Sequence, residues 1–334
     1  MSDVNRRFLL RERPSGRIDE NTFEYVEAAL PEIGDGEALV KNEWISLDPT
    51  NRAWIGEAPT YLPPVAIGEV MRAGALARVV ASNTPHYEVG QLVQGLLGWQ
   101  DYAVVSASNP VTVMPDIPGV APSQFLGALG MTGITAYVGM LDIGAPQPGE
   151  TVVVSAAAGA VGSIAGQLAK TQGARVVGIA GGPEKCELLT GELGFDAAVD
   201  YKAPDWHAQL KAATPDGIDV DFENVGGEIM EAVFGRLNIR ARVALCGLIS
   251  GYNEDALTGP RNFGALLTKR VHLEGFIVLD HFGRAGEIVP KIAAWMADGT
   301  LKARETIVEG FEQLPTAINL LFDGGNTGKL VVKV

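Results

Sequence analysis

Two glycines three residues apart, set between a strand and a helix, constrain this chain more than any other feature. Thr151 to Ser155 read as a continuous apolar strand, Ala156-Ala157-Ala158-Gly159-Ala160-Val161-Gly162 as a tight turn, and Ala160 to Lys170 as a helix. Without a Cβ at those two places, the backbone can approach a pyrophosphate at the positive helix N-terminus, and the helix can lie close on its sheet. Ala157 stands where the first glycine of the usual fingerprint would be. A glycine pair alone is a weak signal, but in a strand–turn–helix setting it points to a nucleotide. Gly159, Ala160, Val161 and Gly162 are the candidates to line its pyrophosphate.

The end of the next strand selects the nucleotide. An NAD site places a carboxylate there, roughly 20 residues past the glycines, to bind the ribose hydroxyls. This chain reads Ile179-Ala180-Gly181-Gly182-Pro183-Glu184-Lys185 instead. Small residues leave room for a 2′-phosphate, and Lys185 can give it a charge-assisted hydrogen bond. Lys185 also suits a solvated face, but the first turn of a helix is a poor place for a cation without an anion nearby. NADPH is therefore the expected cofactor. The missing carboxylate also weighs against a methyltransferase, which needs that acid for its own ribose.

A chain of 334 residues is expected to form two domains. The first 115 residues read as short strands between turns, among them Ala38 to Trp44, Ala75 to Ala81 and Ala103 to Ser106, and predict a barrel-like β region. From Phe125 the pattern alternates. Strands are predicted at Arg175 to Ala180, Ala197 to Asp200, Ile218 to Phe222, Arg242 to Cys246 and His272 to Val278. A helix is predicted from Pro183 to Leu193, and another carries Val289, Ile292 and Trp295. This alternation predicts a parallel sheet covered on both faces. A short helix at Pro315 to Leu321 and a Gly324-Gly325 turn lead to a last strand, Lys329 to Val334, expected to return to the first domain. The predicted α/β architecture is thus a β-barrel domain of residues 1–124 with 300–334, and a doubly wound nucleotide-binding domain of residues 125–299. The terminal strand His272 to Val278 has an exposed edge that invites pairing, and a homodimer is expected.

Composition excludes several alternatives. A net charge of −14 opposes nucleic acid and anionic membrane surfaces as partners. The charge-free stretch from Ile117 to Leu141 is long enough to span a bilayer, but prolines, including Pro118 and Pro122, glycines and polar residues break it, so a buried helix after a loop is expected. Phe8-Leu9-Leu10 is too short for a signal peptide. Two cysteines without paired spacing, Cys186 and Cys246, fit a reducing, cytoplasmic setting and read as core residues. They and the scattered His86, His207, His272 and His281 offer no group of metal ligands. With no nucleophile elbow either, the chemistry is expected to come from a cofactor's hydride.

Eight segments in consistent order resemble one family. They are Ser46-Leu47-Asp48-Pro49, Gly98 to Tyr102, Gly130 to Tyr137, Ala156 to Gly162, Phe222 to Gly227, Cys246 to Asn253, Glu274 to Val278 and Gly328 to Val334. Together they look like the prostaglandin reductase and curcumin reductase branch of the zinc-independent medium-chain dehydrogenases/reductases. The resemblance implies a GroES-like β domain and a Rossmann domain with NADPH in the cleft. It puts Lys185 and Tyr201 at the 2′-phosphate, and Gly159, Ala160 and Val161 at the pyrophosphate. It puts Asn224 and the turn of Cys246, Leu248 and Ile249 under the adenosine or nicotinamide halves, and Phe276, Val278 and Asn326 around the nicotinamide and its ribose. Asn224 and Asn326 equally suit glycine-flanked turns, and Phe276 equally suits a core. Relatives commonly read Asp-Pro-Tyr-Met-Arg-Gly where this chain has Asp48-Pro49-Thr50-Asn51-Arg52-Ala53-Trp54, and proline where it has Thr132. Prostaglandin or curcumin specificity is therefore not carried over.

The implied reaction reduces the double bond of an α,β-unsaturated aldehyde or ketone, with hydride arriving at the β-carbon. The enolate that forms calls for a hydrogen-bond donor aimed at its oxygen and for excluded water. Tyr252 is the candidate: an ordinary tyrosine hydroxyl, titrating near roughly 10, remains protonated at neutral pH. Its position after the fifth strand of the parallel sheet lies where ligand crevices form. Tyr252 also suits a role in packing its loop or orienting substrate. A quinone oxidoreductase of the same superfamily, and a noncatalytic NADPH-binding sensor, are the alternatives.

Overall fold

The computed structural model describes residues 4–57, 60–117, 119–254 and 258–334. Pro118, one of the predicted breaks in the charge-free stretch, lies outside the described residues. Two compact units emerge, the first made of Met1–Leu126, Thr306–Gly325 and Leu330–Val334, the second of Gly127–Glu305 and Asn326–Lys329.

The first unit is built from strands whose apolar residues alternate inward. Strands β1 (Val4–Leu10) and β2 (Phe23–Ala29) pair antiparallel along their whole length. Strand β3 (Ala38–Leu47) carries β4 (Ala75–Ser82) along one side, and β4 continues to β5 (Leu92–Gly95). Strand β6 (Tyr102–Val105) pairs with β3, and β7 (Thr112–Val113) with β5. The enclosed core holds Trp99, Leu97, Ile45, Leu47 and Met71, with Phe8 stacked on Phe311 at 5.1 Å between ring centres.

In the second unit the period changes. Strands β8 (Thr151–Val154), β9 (Arg175–Ala180), β10 (Ala197–Asp200), β11 (Ile218–Glu223), β12 (Leu237–Leu245) and β13 (His272–Gly275) form a parallel sheet. Among the described residues their order is β10-β9-β8-β11-β12-β13. Counted along the chain, that is 3-2-1-4-5-6, the doubly wound Rossmann arrangement. Near-continuous apolar runs such as Val152-Val153-Val154, fully buried, follow from cover on both faces. The chain then runs through β14 (Glu305–Glu309) to β15 (Lys329–Lys333), which pairs antiparallel with β3 from Leu330 opposite Leu47 to Lys333 opposite Trp44.

Four elements differ from the sequence reading. The helix from Pro183 to Leu193 is an α-turn, Pro183–Glu187, that widens into a π-turn, Leu188–Glu192. Leu189 and Leu193 are buried as the spacing predicts, while Cys186 is only half-buried. Strand β12 starts at Leu237, opposite Ile218 of β11, rather than at Arg242, with a bulge holding Arg240 at φ +65° between the two stretches of pairing, and it ends before Cys246. Strand β13 stops at Gly275, and Val278 opens a 3-10 turn, Val278–Arg284. The helix expected at Pro315 to Leu321 is two short turns, Leu314–Ala317 and Leu320–Asp323.

Segments 300–305 and 326–329, assigned to the first domain from the sequence, pack with the second. The Gln167 side chain exchanges hydrogen bonds with the Lys302 backbone (2.8 and 3.0 Å), and the Gly328 N–H donates to the Ala158 carbonyl at 2.8 Å. The charge-free stretch contains a helix at Met131–Tyr137 with six buried residues, continued by a π-turn. Among the described residues no helix is long and apolar enough to cross a membrane.

Candidate functional site

In a parallel sheet all carboxyl ends lie at one edge, and ligands of open α/β sheets bind there, at the point where the strand order reverses. Here that point falls between β8 and β11. With the exception of Asn326, the residues singled out for the cofactor and the reaction lie in the segments that follow strand ends: Gly159 to Gly162 after β8, Lys185 after β9, Tyr201 after β10, Asn224 after β11, Cys246 to Ile249 and Tyr252 after β12, Phe276 and Val278 after β13. The fold brings them to one edge of one unit.

The glycine-rich turn is tightly determined. Ala156 takes φ +46°, so the left-handed residue of the turn precedes Ala157, and Ala157 needs no glycine. The Ala157 N–H donates to the Ile179 carbonyl, tying the turn to β9. Gly159 caps the helix Ala160–Thr171 and brings no side-chain oxygen to the first-turn N–H groups, leaving that end suited to an anion. At Gly162 a Cβ would sit 2.5 Å from the Ala156 carbonyl oxygen and 3.0 Å from Ala157 Cα, so only glycine lets the helix pass.

A basic corner forms at the ends of β9 and β10. The Asp200 carboxylate accepts the N–H groups of Gly182 (2.7 Å) and Lys202 (3.0 Å), clamping the two loops together. Tyr201 and Lys202 then lie across Gly181, where a Cβ would come within 2.9 Å of the Tyr201 Oη and 3.0 Å of Lys202 Cε. Lys185 reaches the same corner: burial and the charge of Lys202 together hold its ammonium below the usual lysine range. A lysine whose charge is disfavoured by burial and by a second lysine beside it is the arrangement an anion relieves. Lys202 escaped the sequence reading, although its place beside Tyr201 at a strand end was a usable signal.

A second group of contacts joins the turns after β8, β11 and β12. Asn224 donates its Nδ2 to the Ser155 carbonyl and its backbone N–H to Ser155 Oγ, both at 2.7 Å. Its side-chain nitrogen is thus used to hold the glycine-rich turn. Ser155 Oγ donates to the buried Glu223 carboxylate at 2.7 Å. The Ile249 N–H reaches the Asn224 carbonyl at 3.1 Å, and Leu248 packs against Gly226. Cys246 lies just past the strand, and burial together with Glu223 pushes its thiol up to about 12, which removes it as a nucleophile. The Tyr252 hydroxyl folds back to this turn and accepts the Leu248 N–H at 3.3 Å.

The remaining candidates divide. Asn326 is buried, and its Nδ2 donates to the Gly328 carbonyl at 3.0 Å, holding a turn whose Gly328 bridges to Gly159. Phe276 meets Phe222 edge-to-face at 6.4 Å, so part of its surface belongs to the core. Val278 is half-buried. Among the described residues no three His, Cys, Asp or Glu side chains group as a metal centre requires. Both the absent Cβ atoms at the helix start and the paired lysines fit a phosphorylated dinucleotide.

Two families match this sequence: "N-terminal domain of oxidoreductase" over residues 6–113 and "Zinc-binding dehydrogenase" over residues 160–297. The NADPH-dependent curcumin reductase of Escherichia coli (strain K12) is 44% identical over 336 residues, spanning 99% of this chain and 97% of that protein. The NADP(+)-dependent 2-alkenal reductase of Nicotiana tabacum is 38% identical over 99% of this chain and 97% of its own length. CurA of Vibrio vulnificus, solved in complex with NADPH, superposes with a TM-score of 0.94 at 43% identity, covering 98% of this chain and 99% of that one. A quinone oxidoreductase of Pseudomonas syringae, at 23% identity and a TM-score of 0.76, shares the fold. A GroES-like β domain, a Rossmann domain and near-full-length identity agree: the chain belongs to the zinc-independent medium-chain dehydrogenase/reductase family, closely related to the curcumin reductases.

Proposed function

We propose that this chain is an NADPH-dependent oxidoreductase that reduces the carbon–carbon double bond of α,β-unsaturated aldehydes and ketones, with hydride transfer to the β-carbon. The observation that carries the reading is the agreement, end to end, with an NADPH-dependent curcumin reductase. The basic corner of Lys185 and Lys202, in place of a ribose-binding carboxylate after β9, supports the choice of NADPH.

Bound NADPH supplies the hydride. The chain's own groups bind and orient. Gly159, Ala160, Val161 and Gly162 receive the pyrophosphate, and Lys185 and Tyr201, with Lys202, hold the 2′-phosphate. Asn224, Cys246, Leu248, Ile249, Phe276, Val278 and Asn326 shape the rest of the dinucleotide's bed. Tyr252 is the proposed donor to the carbonyl oxygen as it gains negative charge. Its hydroxyl lies at the turn after β12, where it accepts the Leu248 N–H, and an un-ionised phenol is the kind of donor an enolate oxygen requires.

We further propose a cytoplasmic homodimer. Strand β13 closes the sheet at one side. The helix just before it exposes Leu267 at 82%, preceded by Phe263 at 62%, which is apolar surface suited to a second copy. Light scattering that finds only monomer at micromolar concentration would remove the dimer. Steady-state rates on a panel of enals, enones and quinones test the function: turnover confined to quinones would move the chain to the quinone reductases, and no NADPH oxidation with any of them would make it a binding protein.

A further inference from the structure

Strand β11 reads Ile218-Asp219-Val220-Asp221-Phe222-Glu223, and residues two apart share a face. Asp221 and Glu223 therefore project together from a central strand, and both are fully buried. Asp221 lies between Val153 of β8 and Val243 of β12, and among the described residues neither of its oxygens has a hydrogen-bond partner. A carboxylate cannot stay ionised in such surroundings, and burial plus the neighbouring Glu223 hold Asp221 well above the usual range, in its neutral form.

Glu223 is placed differently. Its Oε1 accepts the Ser155 hydroxyl at 2.7 Å, the Gly226 N–H at 3.0 Å and the Val225 N–H. Its backbone carbonyl accepts the N–H groups of Cys246 (2.9 Å) and Gly247 (3.1 Å). Through Ser155 Oγ it also reaches the Asn224 N–H. A single residue thus ties together the turns that follow β8, β11 and β12. Asn224, its neighbour, joins the same three turns through its Nδ2 and its carbonyl, so the two residues form one tie.

We propose that Glu223 is a positioning residue for the dinucleotide: its buried carboxyl fixes the turn after β8 against the 224–226 turn, and its backbone carbonyl holds the 246–249 turn beside them, in the one mutual arrangement that NADPH fits. The inference rests on the reading that these turns hold NADPH. It assigns Glu223 no contact with the cofactor; the effect passes through Ser155, Asn224 and the backbone.

The test is a fluorescence titration of the full chain with NADPH, run beside circular dichroism and thermal unfolding without cofactor. Glu223→Ala leaves several buried donors without an acceptor and should raise the NADPH Kd at least about tenfold. Glu223→Gln keeps an acceptor oxygen and should restore the Kd to within about threefold of wild type. A folded Glu223→Ala chain binding NADPH within about threefold of wild type overturns the proposal, as does failure of the glutamine to rescue. If the alanine variant does not fold, Ser155→Ala decides: it removes the hydroxyl bridging Asn224 to Glu223 and should weaken NADPH by roughly three- to tenfold, while an unchanged Kd overturns the proposal. A wild-type chain that binds no NADPH overturns the functional reading as well, so the two failures are told apart.

Discussion

In the proposed function, the basic corner after β9 and β10 and the junction of turns after β8, β11 and β12 serve the same ligand by opposite physical means. At the corner, Tyr201 and Lys202 are exposed, and Lys185 is half-buried. What is built there is charge, held loosely by long side chains over a glycine. At the junction, Ser155 and Glu223 are fully buried, and their hydrogen bonds are short. What is built there is geometry. Charge in water-accessible surroundings is screened and tolerant of position, whereas a sealed polar network is worth little in net energy but costs much when one member is lost. The corner should therefore govern which dinucleotide binds, and the junction how accurately its reactive end is placed.

The largest expected effect lies on the junction side. If Tyr252 gives its proton or hydrogen bond to the developing enolate, Tyr252→Phe should slow single-turnover hydride transfer by at least about 100-fold, with NADPH affinity nearly unchanged. Single turnover is the right observable, because product release can hide a chemical defect. A rate within about threefold of wild type, with a raised KM, would make Tyr252 a residue that orients substrate.

The corner should respond in binding. Lys185→Ala should weaken NADPH by roughly 10–100-fold and NADH far less, as expected for one hydrogen bond to a charged group. Lys202→Ala, farther into solvent, should cost about threefold in the same titration. Equal losses for NADPH and NADH would remove these lysines from the 2′-phosphate and erase the distinction between the two regions.

The smallest effect concerns stability. Asp221 stays protonated in the folded chain while the unfolded chain releases its proton near pH 4, so over that window the unfolded state binds fewer protons and stability falls as pH rises. Asp221→Asn removes this dependence. Its Tm relative to wild type should therefore be higher at pH 8 than at pH 4, by roughly a few degrees, in thermal unfolding followed at both pH values. A difference that does not change with pH would mean that Asp221 is ionised in the folded chain.

Much of this was readable in the sequence where the signal is local. Val152-Val153-Val154 before a glycine pair pointed to a buried strand entering a tight turn and a helix, which is what the chain forms, and Gly181-Gly182 with Lys185 pointed to the place where Lys185 and Lys202 meet. What escaped depends on distant partners. Glu223 stood within a recognised motif, but its bond to Ser155 spans 68 positions, and nothing in the local pattern says that its carboxyl is buried. The early start of β12 was hidden because its bulge at Arg240 breaks the alternation that identifies a strand. The π-turns at Val138–Gly144 and Leu188–Glu192 leave no mark on a helical hydrophobic pattern.

The central claim is that hydride passes to the β-carbon of an unsaturated carbonyl compound, and an isotope label tests it most directly. The chain is given NADPH carrying deuterium at the nicotinamide C4, together with a simple enone, and the product is examined by NMR and mass spectrometry. The account predicts a saturated ketone with deuterium on the carbon β to the carbonyl, formed with NADPH in clear preference to NADH. An allylic alcohol with deuterium on the former carbonyl carbon would contradict it.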